Sequence, residues 1–188
     1  VDDARLYPAE RTRQRPVGLA MSGWLSDKTA RIIGSHAMIS DALISAGVAL
    51  VTDGPPDILV HVAQAPAATP AHDITYEQWR NVLDEGLDQR FFAARDFAND
   101  CRARGVGGAV LFVGAPEQSF GIDQAAATGA LGNLTKTLGV EWARDGIRVN
   151  AVLTHAKTAT LGNLAAYLLS DYAAYITGAV MGIDSDDG

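Results

Sequence analysis

Ile58-Leu59-Val60-His61-Val62 and Ala109-Val110-Leu111-Phe112-Val113 are the two stretches whose reading decides the fold. Each is an almost unbroken run of large apolar residues. A strand with one wet face alternates apolar and polar side chains. A strand apolar at every position is buried on both faces, as in the middle of a parallel sheet. Parallel neighbours cannot be joined by a tight turn and need a crossover, usually a helix.

The residues on either side supply those crossovers. Between the two runs, Thr75 and Gln78 have the spacing of a capping box, with Ile74 and Trp79 placed as a hydrophobic staple. Leu83, Leu87, Phe91, Ala94, Ala98 and Cys101 follow at steps of three and four, which predicts one long helix ended by Gly105 to Gly108. Upstream, Ala30 to Ile33 reads as a strand ending at Gly34. Met38, Ile39, Ala42, Leu43 and Ala46 read as a helix stopped by Gly47. Val48 to Val51 reads as a strand closed by Asp53-Gly54-Pro55-Pro56. Downstream, Leu131, Leu134, Leu138 and Trp142 share a helix face, and Asp145-Gly146 stops that helix. The strand Ile147 to Leu153, a helix over about Leu161 to Ser170 and a strand around Ala179 to Ile183 complete the pattern. Strands alternating with helices predict an α/β, doubly wound, Rossmann-like parallel sheet.

One domain over 28–188 is expected, preceded by an arm over 1–27 that carries Arg5, Arg11, Arg13 and Arg15. Within the arm, Val17 to Met21 is apolar enough to cover the sheet edge beside Val48–Val51, a place that another subunit could also fill. Asp184 to Gly188 reads as a solvated acidic tail.

The 188 residues are 48% hydrophobic and 20% charged, with a net charge of −7 and a pI near 4.9. That acidity argues against nucleic-acid or anionic-membrane partners, which need clustered positive charge. No apolar run approaches the ~20 residues of a membrane span, and Val1 onward shows no secretion signal. Cys101 is the only cysteine, so no internal disulfide can form and a cytoplasmic location is expected. Cys101 lies on the apolar helix face, which predicts a buried small hydrophobe rather than a reactive thiol.

Three stretches in register resemble short-chain dehydrogenases/reductases of the 3-oxoacyl-carrier-protein reductase type: Ala109 to Val113, Asn133-Leu134-Thr135-Lys136-Thr137-Leu138-Gly139-Val140-Glu141-Trp142-Ala143, and Gly146 to Val152. Asp57 to Val60 resembles that family's central strand, and Leu168 to Asp171 with Tyr175 to Gly178 its C-terminal signature. The resemblance covers about 29–184. It implies an Asn-Ser-Tyr-Lys tetrad, whose positions fall on Gly86, Ala115, Gln124 and Thr128. In the family the tyrosine moves a proton at the substrate oxygen, and the lysine cation lowers its pKa. A glutamine amide gives up no proton near neutral pH and threonine supplies no charge, so hydride-transfer catalysis is not expected. Losing a general acid alone costs roughly 10²–10⁴-fold.

The resemblance also implies a three-glycine loop for the NAD(P) pyrophosphate. Here Gly34-Ser35-His36-Ala37 leads straight into the helix, and Gln64 stands where the family has a glycine. The family's third strand and its substrate lid have no room: Val51 runs almost directly into Asp57, and only Thr154 to Thr160 precede the last helix. No cofactor is therefore expected, with weak NAD(P) binding left open. The pattern is similar to the degenerate N-terminal half of two-domain ketoreductases of mycobacterial type.

His36, His61 and His155 each fall near the carboxyl end of a strand, where such folds bind ligands. No metal-binding spacing joins them, and no metal site is expected. Glu117 and Ser119 lack an identifiable base, and Asp41 and Asp88 read as polar helix faces. Ala127, Gly129, Ala130 and Gly132 would let the second long helix approach a partner closely. The expected function is a non-catalytic subunit that forms a homo-oligomer, or a hetero-oligomer with an active family member, one acting on acyl thioesters by family likeness. The alternatives are an enzyme with a relocated, histidine-based site, and a small-molecule-binding module.

Overall fold

The chain is described by a computed structural model over residues 22–63, 68–114, 121–155 and 158–183. Six strands form one sheet in the order β2-β1-β3-β4-β5-β6, and every pairing is parallel. They are β1 (Thr29–Ile33), β2 (Ala49–Leu50), β3 (Ile58–Val62), β4 (Gly108–Gly114), β5 (Ile147–Thr154) and β6 (Val180–Ile183). The central strands have the predicted character, for all five residues of β3 are buried.

Alternation along these strands divides the core in two. Ile58, Val60, Leu111 and Val113 face α1 (Ala37–Ser45) and α5 (Ala159–Leu169). Leu59, Val110, Phe112, Val149 and Ala151 face α3 (Gln89–Arg104) and α4 (Ile122–Glu141). The sheet is thus covered on both sides, as continuous apolar strands require.

The Thr75 capping box is present, with both reciprocal hydrogen bonds, and it starts α2 (Tyr76–Leu83). The expected single helix is interrupted, however. A π turn at Asp84–Asp88 separates α2 from α3. Its wider turn takes up an extra residue and rotates the buried face. Leu83, Leu87 and Phe91 are only half-buried, and the inward positions are Val82, Arg90, Ala94, Phe97, Ala98 and Cys101.

The expected strand Val48–Val51 is shorter, with only Ala49 and Leu50 in the ladder. Both pair with the first two residues of β1, and the chain over 51–57 must then return to the start of β3. The upper half of β1 consequently has no neighbour on its outer side among the described residues. Ser22 to Asp27, assigned to the arm from sequence, form turns that pack on the domain: Leu25 is fully buried and Trp24 touches the rings of Tyr167 and Tyr172. Val17 to Met21 and Asp184 to Gly188 lie outside the described residues.

Buried polar side chains fix the last strand. Asn150 donates to the Ile176 carbonyl at 2.9 Å and accepts from the Ala179 amide at 3.0 Å. Arg148 donates to the carbonyls of Leu168 and Ser170 at the end of α5. No helix among the described residues is long and apolar enough to cross a membrane.

Cys101 is fully buried and free, and its burial raises the thiol pKa. The thiolate is the reactive form. Native protein near pH 8 is therefore expected to resist a thiol reagent, and to take up one equivalent once denaturant is added. Labelling of the native protein at the denatured rate would contradict this.

Candidate functional site

Strand order reverses between β1 and β3, because α1 leads outward to β2 and the chain then returns to the other side of β1. Ligands of doubly wound sheets bind at the carboxyl ends of the strands at that point. Here β1 passes into α1 through Gly34, Ser35 and His36 alone. Gly34 has φ +83°, and a Cβ on it would lie 2.1 Å from the Val62 carbonyl oxygen. The two strand ends are in backbone contact. His36 precedes α1 in extended backbone and makes no side-chain cap, and Ala37 is exposed at the first position of that helix. Gln64, Ala115, Glu117 and Ser119 lie outside the described residues.

One strand further on, a second site is built between the π turn and the first half of α4. Gly86, Gln124 and Thr128, far apart in sequence, line a single cavity together with Arg90 and Gly114. Its volume is about 20 Å³, room for about one water molecule. Gly86 lies within the π turn, and a Cβ there would come 3.1 Å from the Ala127 Cβ. The helix pair is held at a distance that leaves little space for a larger side chain at 86.

Arg90 dominates the electrostatics of this site. Its side chain is 2% exposed, and it donates from Nη2 to the Val113 carbonyl at 2.8 Å. Burial lowers its pKa to about 10, so it is cationic at neutral pH. The guanidinium lies against bare backbone: a Cβ on Gly114 would be 3.3 Å from both Nη atoms. His61, on the same sheet face as Leu59, is also buried. Burial first, and the Arg90 charge second, lower its pKa to about 4. It is neutral at pH 7 and poorly suited to donate a proton.

Sequence reasoning assigned no role to Arg90. A charged residue in a helical pattern reads as solvent-facing, and the π turn that rotates it inward leaves no sequence signature beyond Gly86. His36, His61 and His155 do not converge: no group of three His, Cys, Asp or Glu side chains among the described residues could hold a metal ion. Asp41 is exposed, and Asp88 pairs with Arg80 at 3.0 Å.

A family model described as enoyl-(acyl carrier protein) reductase matches residues 38–159. The 3beta-hydroxysteroid dehydrogenase 1 of Eggerthella lenta is 30% identical over 178 residues, taking in 77% of this chain and 67% of that one. A short-chain type dehydrogenase/reductase from Mycobacterium marinum superposes with a TM-score of 0.79 at 19% identity, over 88% of this chain and 96% of that one. A 4-hydroxyisoleucine dehydrogenase, solved in complex with NADH, superposes with a TM-score of 0.73 at 20% identity, over 84% and 97% respectively. At these identities the two structural likenesses are of fold.

Proposed function

We propose, from the premise that this chain belongs to the short-chain dehydrogenase/reductase family, that it is a non-catalytic subunit which oligomerises with itself or with an active relative. The observation that carries this is the cavity between the π turn and α4. The residues that the family register assigns to Asn, Tyr and Lys are Gly86, Gln124 and Thr128, and together they enclose space for little more than a water. None of them can pass a proton at neutral pH. A Cβ at 86 would press on the Ala127 Cβ at 3.1 Å.

The dinucleotide site of relatives is not matched by the residues here. Only one glycine stands between β1 and α1, and it closes onto Val62. The outer side of β1, where a further strand would floor the adenosine, pairs among the described residues with Ala49 and Leu50 alone, at its base. We therefore expect no tight NAD(P) binding, although relatives of this fold carry the cofactor.

Oligomerisation draws support from the outer faces of the long helices. Phe92 on α3 is 49% exposed and Val140 on α4 is 79% exposed. Side chains added at Gly129 or Gly132 would meet nothing within 4 Å in the chain, so these positions leave α4 open to close approach. Ala127, by contrast, is buried within the chain against Gly86. An active partner acting on acyl thioesters is the choice that family likeness favours.

The test is a calorimetric titration with NADH and NADPH beside a light-scattering mass on the same sample. The expected result is no heat of binding and a dimeric or larger mass, reached alone or on adding an active relative. Micromolar cofactor binding, or a monomer under both conditions, would overturn the proposal.

A further inference from the structure

Arg90 poses a problem that the packing of α3 against the sheet does not solve. A guanidinium taken out of water costs several kcal/mol unless its charge and its donors are paired. Arginine carries five N–H donors. One nitrogen, Nη2, reaches the Val113 carbonyl, while Nε and Nη1 are buried without a hydrogen-bond partner. No carboxylate among the described residues pairs with it. Its titratable neighbour His61 is neutral, with a buried Nδ1 that also lacks a partner. The site therefore holds a positive charge with which no side chain among the described residues forms an ion pair.

The surroundings are those of a receptor for negative charge. The cavity that Arg90 lines has two neutral polar side chains, the Gln124 amide and the Thr128 hydroxyl, and each can donate a hydrogen bond. Both are neutral, so neither competes for the role of counter-ion. Gly114 brings bare backbone against the guanidinium, which keeps the charged head at the cavity instead of beneath a side chain. Glu85 also lines the cavity but is exposed to solvent and forms no ion pair with Arg90.

We infer that this cavity binds one small monovalent anion, held by the unpaired N–H groups of Arg90 with Gln124 and Thr128 completing its shell. A water molecule would fit the space but would leave the charge uncompensated, and buried charges are paired. With room for about one water, the cavity takes a halide, or the end of a carboxylate pushed in from the mouth. Sulfate and phosphate are too large. The inference is independent of whether the chain is catalytic or oligomeric, and its test uses neither cofactor nor mass.

The thermal midpoint of the full chain is followed while bromide, chloride, formate, acetate or sulfate is added at constant ionic strength, and chloride line-broadening is followed by NMR in parallel. A saturable rise of about 5 °C with the small anions, at concentrations well above a millimolar dissociation constant, is expected, with none for sulfate. Response to halides alone assigns a halide site. Response to formate and acetate as well assigns the carboxylate end of an organic acid. Gln124→Glu places a carboxylate of nearly the same shape at the cavity, so this variant is expected to fold and to lose the anion response. Arg90→Met is expected to lose it too. Equal effects of sulfate and chloride on the wild type, with no saturable NMR broadening, would mean that water alone fills the cavity and would overturn the inference. So would a Gln124→Glu response matching that of the wild type.

Discussion

Alanine in place of Gly34 is expected to cost the domain about 2–5 kcal/mol, the sum of a left-handed backbone penalty of about 1–2 and overpacking of about 1–3. Gly34 sits at φ +83°, which L-residues adopt only under strain. The added Cβ would also fall 2.1 Å from the Val62 carbonyl oxygen. That oxygen has little freedom to retreat. Val62 is in register with Val113 of β4, and the next amide, on Ala63, donates to the Val113 carbonyl at 3.2 Å. The methyl group must therefore separate the carboxyl ends of β1 and β3 or distort the turn into α1. The denaturant midpoint of Gly34→Ala against the wild type measures this. The outcome bears on function as well as stability, because this contact lies at the crevice where doubly wound sheets bind ligands. A loss below about 1 kcal/mol would mean that the strand ends part easily.

The parts of this fold that were legible in sequence are those whose signal is local. The Thr75–Gln78 capping box is made within one turn. The runs Ile58–Val62 and Ala109–Val113 state their own burial, since no half-exposed strand could carry them. Gly47, Gly105 and Gly146 end helical segments in left-handed backbone, as their positions predict. What stayed hidden depends on contacts between distant residues. The ladder of β2 has only two residues because the chain over 51–57 must return beneath β1, a constraint of routing, not of propensity. Leu25 stands in a stretch with no helix or strand period, and only the bond from its amide to the Ala46 carbonyl at 2.9 Å and its place in the core show that it belongs to the domain.

The candidate site divides in the same way. Counting along a matched register singled out Gly86, Gln124 and Thr128 without any knowledge of distance, and the three meet at one cavity. Arg90 and the effect of its charge on His61 were beyond reach. In a regular helix Arg90 would lie about 80° around the axis from Val82, at the edge of the buried face. The π turn supplies the extra residue that aligns them, and a helical periodicity of fixed period cannot express that shift. A buried cation hidden in this manner changes the chemistry of everything around it, including a histidine that the sequence offered only as one of three scattered candidates.

The consequence is measurable as a dependence of stability on pH. Between about pH 7.5 and pH 4 the domain is expected to lose about 3 kcal/mol from His61 alone, at 1.36 kcal/mol per unit of pKa difference. His61 titrates near 4 in the folded chain and near the ordinary value of 6.5 when unfolded. Within that window the unfolded chain binds the extra proton, so acidification pulls the equilibrium toward it and stability rises with pH. Above about 6.5 neither state is protonated, and the contribution is complete. Below about 4 both are protonated, and the loss has run its course. Asp57 does not blur the window. Burial pushes its carboxyl up, but the Thr29 amide and hydroxyl and the Arg104 guanidinium outweigh that and hold it below 3.8, so its share is lost at lower pH. His61→Leu removes the titrating group and fills the same apolar face between Leu59 and the Arg90 side chain. Urea midpoints of the variant are expected to stay nearly level from about pH 6.5 to 4.5 while those of the wild type fall. Parallel curves for the two proteins would mean that His61 is solvated in the folded state.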